Sequence, residues 1–122
     1  MSDPRDQPSL DELAVRLADF ARERDWDPFH APKNLAMALA GDLGELLEHF
    51  QWLSEQQSAN LSADARDAVA LELADVLLYL VRLADKLEID LAAAAVRKIG
   101  LNAVKYPIER FRGSSRKYDD PA

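Results

Sequence analysis

The chain has 122 residues, no cysteine, 48% hydrophobic residues and a net charge of −7. That length suits one domain. The missing cysteines exclude disulfides and thiolate metal sites, and the acidic balance speaks against non-specific binding to a nucleic acid polymer.

Leu, Ala, Glu, Asp and Arg dominate and there are only 4 glycines, a helix-forming composition. The most apolar stretch, residues 76–83, is short and interrupted by Arg82, so no membrane span is expected. Nothing resembles a signal peptide, and the cytoplasm is the expected location.

Residues 1–8 are polar, carry Pro4 and Pro8, and read as a flexible arm. Ser9-Leu10-Asp11-Glu12 has the spacing of a capping box. Leu10, Leu13, Leu17, Phe20 and Ala21 then recur at helical intervals, which predicts a first helix ending near Arg24. Residues 25–32 contain two prolines and read as a loop, yet they carry Trp26, Phe29 and His30. Aromatics in a loop either fold back onto the core or line a pocket for a flat ligand.

Pro32 suits the first position of a second helix. Its stripe is Leu35, Leu39, Leu43, Leu46, Phe50 and Leu53. At about 100° per residue, Asp42 and Glu45 fall on the flank of that stripe, in line with Asn34 and Trp52, while Glu48 points furthest from it. Gly41 and Gly44 each cost a helix about 1 kcal/mol against Ala. Their presence predicts close approach of another backbone or a ligand.

Residues 54–60 are polar and loop-like. Ser62 suits the cap of a third helix, with Val69, Leu73, Val76, Leu77, Leu80, Leu83 and Leu87 as its stripe. Glu72, Asp75 and Tyr79 share one flank beside it. Leu78 and Val81 widen the apolar surface, which predicts burial on two sides, the second against another subunit. Asp90 suits the cap of a fourth helix that ends near Tyr106, before Pro107. The tail from Arg110 is basic and reads as flexible. Residues 97–118 hold seven basic side chains against one acidic, either a solvated tail or a strap for a polyanion. The division expected is an arm over 1–8, a helical domain over 9–111 and a basic tail over 112–122. The fold expected is all-α, a four-helix bundle within an oligomer.

Two acid pairs spaced i, i+3 stand out: Asp42 with Glu45, and Glu72 with Asp75. One such pair is ordinarily a solvated helix face. Two pairs on consecutive helices, each sharing its flank with an aromatic, suit a hard cation such as Mg²⁺ or Mn²⁺ held by oxygen ligands. A di-iron site needs Glu-x-x-His pairs; His49 follows Glu45 by four residues and the third helix has no histidine, so that chemistry is excluded. No Ser/His/Asp grouping stands out.

Gly41-Asp-Leu-Gly-Glu45 followed by Glu72-Leu-Ala-Asp75 resembles the E-x-x-E … E-x-x-D signature of the MazG-like all-α nucleotide pyrophosphohydrolases. Residues 23–30 (Glu-Arg-Asp-Trp-Asp-Pro-Phe-His), Asn34-Leu35, Phe50-Gln-Trp52, Asp75-Val-Leu-Leu-Tyr79 and Ser114-Ser-Arg-Lys-Tyr118 extend the likeness, over roughly residues 10–118, to the branch acting on dCTP.

The resemblance implies Mg²⁺-dependent conversion of a nucleoside triphosphate, dCTP or a modified dCTP, to the monophosphate and pyrophosphate. It implies Asp42, Glu45, Glu72 and Asp75 as metal ligands, with Glu45 and Asp42 taking part in catalysis. Trp26, Phe29, His30, Trp52 and Tyr79 would form the base and sugar pocket, and Asn34 would also bind substrate. Lys98, Asn102, Lys105, Tyr106, Arg116 and Lys117 would contact phosphates, in a homo-oligomer, dimer or homotetramer, with pockets at subunit contacts. Two positions depart from the pattern. Asp42 stands where Glu is usual, and Leu17 stands where the animal dCTP enzymes carry a substrate-contacting histidine. Two other readings remain: a non-catalytic nucleotide- or Mg²⁺-binding regulatory module, and a structural helical oligomer with solvated acids.

Overall fold

The computed structural model describes residues 7–120, so most of the expected N-terminal arm, residues 1–6, lies outside the described residues. The described chain is all-α: α1 (Leu10–Glu23), a 3₁₀ turn (Asp27–Phe29), α2 (Pro32–Glu48), α3 (Glu55–Ser58), α4 (Ala63–Lys86), α5 (Leu91–Lys105) and α6 (Ile108–Phe111). It divides at Ile89 and Asp90 into two compact units.

The helix starts follow their capping chemistry. Ser9, Ser62 and Asp90 each accept the amide three residues on, from Glu12, Ala65 and Ala93. Pro32 opens α2, where its missing N–H costs nothing. The polar segment read as a loop holds α3 instead. Ser54 and Gln57 exchange both bonds of a capping box there, and that reciprocal closure is enough to set one turn.

In the first unit, α4 packs against both α2 and α1. Its helical stripe is rotated from the one expected. Val69, Val81 and Ala84 are buried, whereas Leu73 is 52% exposed and Leu77 and Leu80 are also open. On α2, Leu35 is buried and Leu43 and Leu47 are exposed. Leu43 and Leu73 each lie one residue, about 100°, from an acid with an oxygen shielded between the helices, Asp42 and Glu72. Turning those acids inward turns the leucines out. The glycine expectation fails within the chain: a Cβ at Gly41 or Gly44 would meet nothing within 4 Å.

Two helix ends use left-handed residues that are not glycine, Asp25 (φ 55°) and Glu88 (φ 57°). After α1, the Trp26 amide donates to the Ala21 carbonyl at 2.9 Å and the Asp25 amide to that of Arg22. These are the two bonds of a Schellman closure. It swings the Trp26 ring onto Phe20, edge to face at 5.7 Å, and so delivers the loop aromatics back to the first unit.

The second unit comprises α5, α6 and the chain after them. Pro107 ends α5 as expected, but α6 follows and buries Phe111. The tail read as flexible is tied by rings: Tyr106 meets Phe111 at 4.9 Å and Tyr118 at 6.1 Å, with Lys105 above the Tyr118 ring at 5.0 Å.

Candidate functional site

The i, i+3 spacing sets Asp42 and Glu45 on one side of α2, and Glu72 and Asp75 on one side of α4. The packing of α2 on α4 then brings the two pairs into each other's field. Their repulsion is expressed at Glu45, whose carboxyl is held above its ordinary value. Glu72 is the largest cause, then Asp42, with burial, Glu48 and Asp75 adding. Asp42 Oδ2 and Glu72 Oε2 are shielded from water and have no hydrogen-bond donor among the described residues. Glu72 Oε1 faces His49 Nε2 at 3.9 Å.

Two orphaned carboxylate oxygens and mutual repulsion are what a cation would relieve, and an all-oxygen donor set suits a hard divalent ion. The donor chemistry therefore fits Mg²⁺. Among the described residues no three acidic or histidine side chains stand close enough together to hold a metal ion as they are.

One turn along α4 from Asp75, Tyr79 opens onto a cavity of about 260 Å³. Leu17, Phe20, Trp26, His30, Leu35, Asp75, Leu78, Tyr79 and Arg82 line it. Its walls are aromatic and aliphatic, and Asp75 and Arg82 supply its charged groups. Trp26 stands edge-on to His30 at 6.3 Å. Asn34 donates through Nδ2 to the Phe29 carbonyl at 3.2 Å, which ties the 3₁₀ turn to the start of α2.

Arg82 organises the polar end. It is 5% exposed, the one charged residue buried among the described residues. It donates through Nε to His30 Nδ1 (3.1 Å), through one terminal nitrogen to Asp27 (2.8 Å) and through the other to Asp85 (3.5 Å). Lys86 also reaches Asp27, at 3.2 Å. Lys86 first and Arg82 after it hold the Asp27 carboxyl below its ordinary value. Neither Arg82 nor Asp27 is among the candidates that motif spacing picks out; the signal in the sequence is an arginine set inside the most apolar stretch of the chain.

Trp26, His30, Asp75 and Tyr79 meet at the cavity, and Asn34 supports the turn beside it. Phe29 and Trp52 do not line it, and Trp52 is 87% exposed. Lys98, Asn102, Lys105, Tyr106, Arg116 and Lys117 belong to the second unit, where Arg116 Nε donates to Ser114 Oγ. A larger, more open depression of about 640 Å³ lies between the turn after α2, α3 and the start of α4. It is lined by amides, His49 and aliphatic groups, and contains none of the four acids.

A sequence model of the MazG-like family matches residues 42–120. Human and rat dCTP pyrophosphatase 1 are each 43% identical to the chain over 116 residues, spanning 93% of it and 68% of their own length. The crystal structure of a pyrophosphatase from Archaeoglobus fulgidus superposes with a TM-score of 0.76 at 38% identity, covering 83% of this chain and 94% of that one.

Proposed function

The chain belongs to the MazG-like family, and on that premise we propose that it is a Mg²⁺-dependent nucleoside triphosphate pyrophosphohydrolase. The proposed reaction converts a deoxynucleoside triphosphate, dCTP or a modified dCTP first, to the monophosphate and pyrophosphate. The observation that carries this reading is the double membership of Asp75. It adds to the field that raises Glu45, and it lines the aromatic cavity with Trp26, His30 and Tyr79. An acidic, cation-seeking floor thus adjoins an aromatic-walled cavity, as a charged phosphate chain joined to a stacking base requires.

Asp42, Glu45, Glu72 and Asp75 would hold the metal. When bound, Mg²⁺ neutralises phosphate charge and acidifies water. The chain's own contribution lies elsewhere. The cavity would seat the base against Trp26 and Tyr79, which both line it. Glu45, whose affinity for a proton is raised by its neighbours, would be the carboxylate that takes the proton of an attacking water. Asp42, with one oxygen unpartnered, would support the metal from the shorter side chain.

The proposed working state is a homo-oligomer, a dimer or tetramer, in the cytoplasm. The open leucines of α2 and α4 and the empty space over Gly41 and Gly44 support the association. In such an assembly Trp52, so exposed in its own chain, has a neighbouring copy to pack on.

Incubation with a panel of nucleoside triphosphates, with and without Mg²⁺, followed by product identification, tests the proposal. Monophosphate and pyrophosphate from dCTP, formed only with the metal, is the expected result. Diphosphate and phosphate would overturn the reaction. Nucleotide binding without turnover would favour the regulatory module.

A further inference from the structure

Arg82 lies outside the four acids, and the proposed reaction gives it no role, yet it is the most enclosed charge among the described residues. Its three contacts constrain chemistry as well as position. A guanidinium has donors only. The 3.1 Å contact from Arg82 Nε to His30 Nδ1 therefore requires a lone pair on Nδ1, and a neutral imidazole with that lone pair carries its hydrogen on Nε2. Nε2 takes no partner among the described residues, and His30 lines the aromatic cavity.

We infer that Arg82 is a positioning residue for base selection: it holds His30 as the neutral Nε2–H tautomer, so the cavity presents a hydrogen-bond donor to its occupant. A donor there favours a base with adjacent acceptors on its pairing edge. Cytosine offers a carbonyl beside an unprotonated ring nitrogen. Thymine and uracil offer an N–H at that ring position, which opposes a donor.

This rests on the reading of the cavity as a base pocket. The same inference explains why the turn is anchored by an arginine. Lys86 already reaches Asp27, so a cation alone would hold the turn, but only a planar group with a fixed Nε–H can address Asp27 and the His30 ring together.

The groups facing His30 agree with a neutral ring. Burial first, then the Arg82 charge, push its pKa below the ordinary histidine value, and Lys86 adds to that. Asp27, on the same turn, opposes them and is outweighed. Asp85 and Asp75 complete the charged groups that α4 brings to this end of the cavity.

The test has two arms. In the first, ¹⁵N-histidine-labelled protein carrying His49→Gln, which leaves His30 as the single histidine, is examined by long-range ¹H–¹⁵N correlation. An unprotonated Nδ1 and a protonated Nε2 are expected, with Arg82→Lys giving a tautomer mixture. A protonated Nδ1 in the Arg82 protein overturns the inference.

In the second arm, α,β-imido-dCTP and α,β-imido-dTTP are titrated calorimetrically with Mg²⁺ present. Arg82→Lys is expected to weaken the dCTP analogue about tenfold, as loss of one well-placed hydrogen bond does, and to narrow its margin over the dTTP analogue. In a His30→Gln background, whose amide donates without help from Arg82, the same substitution is expected to cost less than about threefold. Equal losses in both backgrounds would make Arg82 a mere anchor of the turn and overturn the inference. If neither analogue binds any form, the base-pocket reading fails and takes the role of Nε2 with it, while the spectrum still decides the tautomer.

Discussion

Arg82 and Asp27, 55 residues apart, meet at 2.8 Å, with the arginine side chain 7% exposed and the aspartate side chain 63% exposed. The pair is lopsided. The arginine has lost its water and depends on its partners, whereas the aspartate keeps most of its hydration. Truncating Arg82 to Met keeps the aliphatic stem and removes the charge. That substitution is expected to destabilise the fold by about 1–2 kcal/mol, less than for a fully buried pair because the partners can fall back on water. Urea unfolding measures it; an unchanged midpoint would mean that the desolvation of Arg82 cancels what its bonds contribute.

The acids make stability depend on pH in two opposing ways. Glu45 is raised in the folded chain. It therefore favours folding below its unfolded value of 4.5 and stops doing so as pH rises through its folded value. Asp27 is lowered, so its contribution is present above 3.8 and is lost as pH falls through its folded value. In chelator at pH 7, Glu45→Gln is thus expected to melt above the parent chain, with the gap closing towards pH 4.5. Mg²⁺ at a hundred times its dissociation constant is expected to stabilise the parent by about 2.7 kcal/mol and the variant by less. Identical melting in chelator would show that the carboxylates do not repel one another.

Glu45→Gln is also expected to lose at least about a hundredfold in kcat, the contribution of a positioned general base, with the helical circular dichroism retained. Activity near that of the parent would remove Glu45 from the metal and base roles together.

Trp52 is too exposed to matter for the chain's own fold, so Trp52→Ala is expected to change unfolding free energy by less than about 0.5 kcal/mol. If it stacks on a nucleotide, the loss of roughly 1–3 kcal/mol per base raises KM about fivefold or more at nearly constant kcat. An unchanged KM excludes the stacking role.

Leu73, Leu77 and Leu80 form an open apolar line along α4, at the i, i+4, i+7 intervals of one helix face. A charge at its centre, Leu77→Lys, is expected to shift the chain to a smaller species in light scattering, with helicity kept and activity reduced. Unaltered mass would place the subunit contact elsewhere.

Local chemistry was legible in the sequence. Ser9, Ser62, Asp90, Pro32 and Pro107 set the helix boundaries because caps and proline act over three or four residues, and the paired acids declared their shared helix faces for the same reason. The capping box at Ser54 and Gln57 was equally local and was hidden only by its polar composition. Which face of α4 turns inward could not be read from periodicity, because Leu73 and Glu72 differ by one helical step and both flanks are apolar. The packing of α2 on α4 decided it, turning Asp42 and Glu72 in and the leucines out. Tertiary structure likewise made the partnership of Arg82 with Asp27 and His30. A guanidinium buried in an apolar helix must find acceptors wherever the chain brings them, and no spacing in the sequence encodes a meeting across 52 residues.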